Sequence, residues 1–133
     1  MKKGFTLIEL MLVVIIIGIL SAMVMPRLAG RSEQTRVQAA KADIESGLAL
    51  ALDLYEMDMG SFPESLDYLY SSPASAENWR GPYIKQLRLD PWGNAYQYRA
   101  PGVHHTSSFD LWSQGADKVD GGEGKGADIG NWQ

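Results

Sequence analysis

The chain has 133 residues, of which 45% are apolar and 21% are charged, and its formal net charge is −4. This length supports one domain with a modest hydrophobic core. The acidic balance and the absence of clustered Lys and Arg argue against a nucleic-acid partner. Because the chain has no cysteine, an extracytoplasmic domain would need something other than a disulfide to fasten its loops.

The first element in chain order is an apolar run over residues 5–25 that carries one charge, Glu9. As a helix it would rise roughly 31 Å, close to the thickness of the hydrocarbon core of a bilayer. A secretory signal peptide is one interpretation, but the run exceeds the usual apolar core of about 7–15 residues and no good A-x-A site follows. A plain single-span anchor explains the length and gives Glu9 no role. Inserting a carboxylate near one end of a membrane helix costs less free energy than inserting one at mid-bilayer, because the side chain near the end can reach the interface.

The residues around this run, two lysines followed by Gly4, Phe5, Thr6 and Glu9, resemble the class III leader of type IV pilins and pseudopilins. The resemblance implies that a prepilin peptidase cuts between Gly4 and Phe5, that Phe5 is then N-methylated, and that Glu9 is needed for assembly. A carboxylate in an apolar bundle favours a cation, so we expect Glu9 to pair with the Phe5 amine of a neighbouring subunit. Only one axial stagger would pair them, so the contact would fix the register.

The next segment continues the helix. Pro26 predicts a kink or local melting. From residue 31 to residue 58, apolar side chains recur at steps of three and four, which predicts an amphipathic helix that covers a sheet and stops at Gly60. A coiled coil is the weaker alternative, because the stripe is short and rich in alanine. The stripe consists of Val37, Ala40, Ile44, Leu48, Ala51, Leu52 and Tyr55.

A turn and a short helix are predicted after Gly60. Ser61 and Glu64 match an S-x-x-E capping box, and Leu66 and Leu69 would face inward. The small and polar residues that follow predict a loop. We expect Trp79, within that loop, to cover the core rather than to contact a partner.

Three short alternating segments, residues 83–89, 95–100 and 108–113, predict the strands of an antiparallel sheet. Between the first two lies Asp90-Pro91-Trp92-Gly93-Asn94, a turn by composition. This segment also resembles the D-P-W-G-N segment of the major pseudopilins of type II secretion, and residues 96–102 and 109–111 continue the match. The resemblance therefore covers both ends and most of the chain.

The glycine-rich end of the chain carries recurring acids, Asp117, Asp120, Glu123 and Asp128. Oxygen ligands on such a loop suit calcium, which takes about 6–8 oxygens, backbone carbonyls included. An EF-hand is rejected because two of its ligand positions lack oxygen-bearing side chains and no flanking helices are indicated. The residues alone leave calcium open. Two large apolar residues close to the end, Ile129 and Trp132, argue against a flexible tail.

The resemblance implies a structural calcium ion in this loop. Matched to the family motif, the side-chain ligands are Asp117 and Asp128. The backbone oxygens of Gln114 and Val119 are weaker candidates, and Ser113 and Asp120 are weaker still. Calcium would close the loop and stabilise the fold by binding only the folded state.

Catalysis is not indicated. His104 and His105 are the only histidines, and neighbouring residues of a strand would point to opposite faces and could not easily share a metal. Their Pro- and Gly-rich loop context predicts that both are exposed to solvent. No G-x-S-x-G, H-E-x-x-H or phosphate-binding motif is present. We therefore predict that the chain is not an enzyme.

The sequence thus predicts an α+β, pilin-like fold. A long N-terminal α-helix, half transmembrane and half amphipathic, would pack on a small three-stranded antiparallel sheet with a C-terminal calcium-stabilised loop. The expected parts are a leader (residues 1–4), a transmembrane and assembly helix (residues 5–26) and a periplasmic globular domain (residues 27–133).

The resemblance implies a major pseudopilin that polymerises into a short periplasmic pseudopilus and drives export of folded proteins through the outer membrane. The subunit would lie in the inner membrane before assembly and in the periplasm within the filament. Its implied partners are further copies of itself, minor pseudopilins, the prepilin peptidase and the inner-membrane assembly platform. Two alternatives are a type IV pilin of an adhesion or motility fibre, in which a cysteine pair usually fastens the C-terminal region, and a membrane-anchored calcium-dependent binding protein.

Overall fold

The computed structural model describes residues 4–133, without the side chains of residues 25–29. Lys2 and Lys3 of the predicted leader lie outside the described residues. By internal contacts the chain divides into two units, Met1–Thr35 and Arg36–Gln133, which are described in turn.

The first unit is dominated by helix α1, Leu7–Ala42, whose 36 residues extend for about 54 Å and continue into the second unit. Its segment Leu7–Val24 has a mean hydropathy of 2.8, and no part of it is buried. This segment is long and apolar enough to cross a membrane. The chain is helical at position 26. The Pro26 side chain lies outside the description, so the kink or melting there stays a prediction.

The amphipathic helix of the second unit comprises the end of α1, a π-helical turn Asp43–Leu48 and helix α2, Ala49–Met59. In the π-turn the Ala49 N–H donates to the carbonyl of Ile44, five residues back, so the turn holds one more residue than an α-turn. The helix stops at Gly60, as predicted, with φ of +80°. The predicted stripe is confirmed: Val37 is partly buried, and Ala40, Ile44, Leu48, Ala51, Leu52 and Tyr55 are buried.

The short helix after Gly60 is a 3₁₀-helix, Leu66–Leu69, and both leucines are buried as predicted. The predicted cap is wrong. Ser65, not Ser61, is the N-cap, and its hydroxyl accepts a hydrogen bond from the Asp67 N–H at 3.3 Å. The helix begins only at Leu66, so Ser61 lies too far before it to cap it.

The sheet has three antiparallel strands, β1 Gln97–Arg99, β2 Asp110–Ser113 and β3 Ile129–Gly130, in the order β1-β2-β3. Tyr98 lies opposite Leu111, and Ser113 lies opposite Ile129. The number of strands agrees with the prediction, but residues 83–89 do not form a strand. Their apolar residues Ile84 and Leu87 pack against the core without strand pairing, and the third strand comes from the glycine-rich end.

The core lies between the helix stripe and the sheet, where Tyr96, Phe109, Leu111 and Ile129 complete the buried cluster. Trp79 is partly buried against this cluster, as predicted. Its indole N–H donates to the Tyr68 carbonyl at 2.9 Å, which fastens the loop that contains it.

Candidate functional site

The start of α1 carries a reciprocal capping arrangement between Thr6 and Glu9. One oxygen of Glu9, Oε2, accepts hydrogen bonds from the Thr6 backbone N–H and hydroxyl, both at 2.9 Å, and the Glu9 N–H donates to the Thr6 hydroxyl oxygen at 3.3 Å. This satisfies backbone donors that a helix N-terminus leaves open. This arrangement was not predicted, although Thr6 and Glu9 have the T-x-x-E spacing of a capping box.

The surroundings of the predicted cleavage site are open. The Phe5 side chain is 90% exposed, and a Cβ added at Gly4 would meet no atom within 4 Å. The apolar side chains that follow are also exposed, from Leu7 at 79% to Val24 at 54%. A helix with apolar side chains exposed along this length needs lipid or other protein around it.

The candidate calcium loop comprises residues 114–128. Two of its acids, Asp120 and Asp128, line the same cavity, which has a volume of about 250 Å³. Asp128 Oδ2 accepts a hydrogen bond from the Gly121 N–H at 2.8 Å, whereas its Oδ1 is buried without a hydrogen-bond partner. Burial raises the pKa of Asp128, the Gly121 N–H opposes this, and the negative charges of Asp120 and Asp117 raise it further. The negative charges of Asp117 and Asp120 therefore act on a partly buried carboxylate, and Arg99, which lines the same cavity, is a positive charge that helps to lower the pKa of Asp120.

Asp117 is the second predicted side-chain ligand and lies against glycine backbone. Its Oδ1 accepts a hydrogen bond from the Val119 N–H at 3.1 Å. A Cβ added at Gly122 would lie 2.8 Å from Asp117 Oδ2, and one added at Gly126 would lie 2.5 Å from the same oxygen. Only glycines permit this approach, which also brings the Gly126 carbonyl close to Gly122.

Among the weaker ligand candidates, the side chains of Asp120, Gln114 and Ser113 already form hydrogen bonds within the protein. Asp120 Oδ1 accepts hydrogen bonds from the side chains of Gln114 at 2.8 Å and Trp112 at 3.0 Å, which lower its pKa. The Ser113 hydroxyl donates to Asp90 Oδ2 at 2.5 Å and accepts from the Gly115 N–H at 3.1 Å. Gln114 and Ser113 would therefore offer their backbone carbonyls, as Val119 would.

A metal ion in this loop would need backbone oxygens as well as side-chain ligands. Within residues 4–133 no group of three or more His, Asp or Glu side chains is placed to hold a metal ion. A cation here would depend on the carboxylates of Asp117 and Asp128 together with backbone oxygens, which is a donor set that calcium accepts. The unpartnered Asp128 Oδ1 is the observation that points to a missing positive partner.

The two histidines lie in a loop, as their Pro- and Gly-rich context indicated. Both rings face the same carboxylate, with Nδ1 of His104 and of His105 at 3.0 Å and 3.6 Å from Asp110. They do not point to opposite faces, as neighbours in a strand would, because the chain turns at these residues. Their partial exposure, at 50% and 43%, agrees with the prediction.

Asp110, the first residue of β2, binds that loop through its side chain, and this role was not identified from the sequence. Its carboxylate accepts hydrogen bonds from the backbone N–H groups of Val103, His104 and His105, at 2.7–3.0 Å. Burial alone would raise the pKa of Asp110, but these N–H groups and the His104 ring outweigh it and lower the pKa to about 2. The His104 ring also stacks on Trp132, with 4.0 Å between ring centroids, which connects this loop to the end of the chain.

The chain matches two protein-family models. The model of the type II secretion system protein G matches residues 27–132, and that of the prokaryotic N-terminal methylation motif matches residues 1–25. The type II secretion system core protein G of Vibrio cholerae is 48% identical over 98% of this chain and 92% of its own length. That of Pseudomonas aeruginosa is 46% identical over 98% and 95%.

A solved structure agrees with these matches. The crystal structure of the major pseudopilin from the type 2 secretion system of enterohaemorrhagic Escherichia coli superposes with a TM-score of 0.64. It is 34% identical in sequence, and the match covers 80% of this chain and 95% of that one. The resemblance seen in the leader and in the D-P-W-G-N segment is therefore confirmed over both units: the chain belongs to the protein G family of major pseudopilins of the type II secretion system.

Proposed function

We propose that this major pseudopilin acts by assembling through its N-terminal helix into a periplasmic pseudopilus that moves folded proteins through the outer membrane. The observation that carries the proposal is the apolar segment Leu7–Val24, of which no part is buried. The segment suits a bilayer before assembly and the same helices of neighbouring copies afterwards. In this account the chain contributes no chemistry, only a surface for polymerisation.

Processing would precede assembly. A prepilin peptidase would cut between Gly4 and Phe5, and methylation of Phe5 would follow. The open surroundings of both residues support access by such an enzyme. Once cut, the chain would present the Phe5 amine next to the Thr6–Glu9 cap, within one turn of the start of the apolar helix. The Glu9 carboxylate would then accept the terminal ammonium of a neighbouring copy, which would set the axial register between subunits.

A second exposed apolar feature supports contact between copies outside the membrane segment. Leu50, Leu54 and Met57 lie at steps of four and three on α2, and they are 57%, 42% and 80% exposed. The opposite face of α2 covers the core, so this helix is apolar on both sides. Helices of that kind are normally covered on both faces. A second copy of the chain is the partner that family membership supports.

The proposed location follows from the same parts. The subunit would span the inner membrane through residues 5–26 before assembly and would lie in the periplasm within the filament. Minor pseudopilins and the inner-membrane assembly platform would be its partners there, as the family resemblance implies. An adhesion or motility fibre is not favoured, because both curated relatives are named as type II secretion proteins.

Calcium would fasten the C-terminal loop of the cysteine-free domain. Asp117 and Asp128 would supply charged oxygens, and the carbonyls of Gln114 and Val119 would supply neutral ones. Bound calcium would give the Asp128 Oδ1 atom a partner and would neutralise the repulsion among the acids of the loop. Because the unfolded chain lacks this arrangement, calcium would stabilise the folded domain.

The proposal is tested in a bacterium whose only major pseudopilin is this chain. Mass spectrometry of the mature protein should give a chain that begins at methylated Phe5. Glu9→Ala should insert into the inner membrane in normal amounts and abolish export, whereas Glu64→Ala, which removes an exposed acid of the globular unit, should export normally. Normal export by Glu9→Ala, or a mature protein that retains residues 1–4, would contradict the proposal.

A further inference from the structure

The D-P-W-G-N turn is a closed unit built around the buried carboxylate of Asp90. Asp90 is 4% exposed, and its Oδ1 accepts hydrogen bonds from the backbone N–H groups of Trp92 at 3.0 Å and Asn94 at 2.7 Å. The backbone closes the turn as well, since the Asp90 N–H donates to the Asn94 carbonyl at 2.8 Å. The geometry of these five residues is thus fixed by their own contacts.

Two bridges connect this turn to the start of the candidate calcium loop, and both reach Gly115. The first runs from Asp90 Oδ2 through the fully buried Ser113 hydroxyl, at 2.5 Å, to the Gly115 N–H, at 3.1 Å. The second is direct, because the Asn94 side-chain N–H donates to the Gly115 carbonyl at 3.2 Å. The turn therefore holds both polar backbone groups of Gly115.

Gly115 also touches the other end of the loop. Its φ is +65°, and a Cβ added to it would lie 3.0 Å from the carbonyl oxygen of Ala127. Ala127 directly precedes Asp128, and Gly115 lies two residues before Asp117. A single fixed residue is therefore adjacent to both segments that carry the side-chain ligand candidates.

We propose that the D-P-W-G-N turn is a positioning element for the calcium loop, in which Asn94 and Asp90 hold Gly115 so that Asp117 and Asp128 face each other before calcium binds. This inference rests on the proposed calcium site. A loop held in its binding conformation loses less freedom when the ion arrives, so its affinity is higher. Residues that orient metal ligands without touching the metal typically contribute about 10- to 100-fold in affinity.

The variant that isolates this role is Asn94→Ala, which removes the donor to Gly115 and leaves the Asn94 backbone N–H to Asp90 in place. Asn94→Asp keeps the size of the side chain and replaces the donor by an acceptor that faces the Gly115 carbonyl. Gln97→Ala is the matched control, because Gln97 also donates an amide N–H to a backbone carbonyl, that of Ala95 at 3.1 Å, and does not reach the loop.

The measurement is the dissociation constant for calcium, by isothermal titration calorimetry on the full chain in detergent micelles, with circular dichroism in EGTA to establish that each variant is folded. We expect Asn94→Ala and Asn94→Asp to weaken calcium binding by about 10-fold, and Gln97→Ala to stay within about 2-fold of the wild type. If Asn94→Ala is not folded in EGTA, the dissociation constant of Asn94→Asp is compared with that of the wild type instead.

The outcomes separate the inference from the proposal on which it rests. A purely structural role of Asn94 would lower the melting temperature in EGTA and leave the dissociation constant unchanged. Wild-type affinity in both Asn94 variants would overturn the positioning role alone. Failure of the wild type itself to bind calcium would overturn the calcium site, and this inference with it.

Discussion

Replacing Asp128 by Asn should change the stability of the domain in opposite directions with and without calcium. In the structure Asp128 Oδ1 is buried without a hydrogen-bond partner, and Asp117 and Asp120 add negative charge nearby. A buried polar group left unpaired costs about 1–3 kcal/mol, and a charge costs more. Without calcium, Asp128→Asn should therefore be at least as stable as the wild type, because the amide is neutral and its carbonyl oxygen still accepts from Gly121.

With calcium the order should reverse. At a calcium concentration of about 100 times the dissociation constant, binding adds roughly 2.7 kcal/mol to the free energy of unfolding. Asp128→Asn loses one of the two charged ligands and should lose most of this gain. The assay is urea unfolding of the full chain in detergent micelles, followed by tryptophan fluorescence, in EGTA and in calcium. Glu123→Gln is the control, since it removes one charge from the same loop at an exposed position and should respond to calcium like the wild type.

If Asp128→Asn destabilised the domain equally in EGTA and in calcium, the Asp128 charge would have no part in calcium binding. That result would make Asp128 an ordinary structural residue whose charge the fold already compensates.

Three further predictions concern the core, the Asp110 loop and the outer face of α2. Leu52→Ala, at a fully buried position, should lower the free energy of unfolding by about 2–5 kcal/mol in urea titrations, and a loss below about 1 kcal/mol would contradict the core assignment. Because the pKa of Asp110 is lowered to about 2, its contribution is present above pH 4 and is lost as the pH falls towards 2, so Asp110 should account for about 2 kcal/mol of the drop in wild-type stability over that range. Asp110→Asn should be less stable than the wild type at neutral pH and should show a smaller drop, whereas equal slopes would show that Asp110 does not titrate in this way. Replacing Leu50, Leu54 and Met57 together by Ser should leave the unfolding midpoint of the monomer nearly unchanged and reduce cross-linking between copies in membranes, and undiminished cross-linking would remove this face from the proposed interface.

The helical half of the fold was predictable because its signals are periodic and local. An apolar stripe at steps of three and four and a glycine stop determine which face of the helix is buried and where the helix ends. The π-turn was not predictable in this way. It shifts the backbone by one residue while Ile44 and Leu48, which both lie within it, stay buried, so the pattern of apolar residues hardly changes.

The sheet was predicted less well because strand pairing depends on distant residues. Residues 83–89 alternate like a strand, yet their backbone follows the core surface, and the Tyr83 N–H donates to the Leu69 carbonyl instead of to a strand. Strand β3 has two residues, one of them glycine, within a glycine-rich segment, so its local signal is weak. It forms because β2 offers a partner.

The candidate site was only partly predictable, again because several of its contacts join residues that are far apart in the sequence. Acids and glycines identified the loop, whereas the roles of Asp90, Asn94 and Asp110 depend on contacts with residues up to 23 positions away. The roles of Asp90 and Asn94 are partly local, because both residues lie in one turn and an Asp or Asn often closes such a turn. The bridges to Ser113 and Gly115 required the folded chain.

Glu9→Gln separates the charge of Glu9 from its role as a helix cap, because glutamine can keep the hydrogen bonds to Thr6 and lacks only the charge. A photo-reactive amino acid in place of Ile16, which is 47% exposed on the apolar helix, would report contacts between copies in intact membranes. If the N-terminal helix is a polymerisation surface whose register depends on this charge, the wild type should give a ladder of cross-linked multimers, and Glu9→Gln should insert normally into the membrane without the ladder. The same ladder in both proteins would show that the register does not depend on the charge of Glu9.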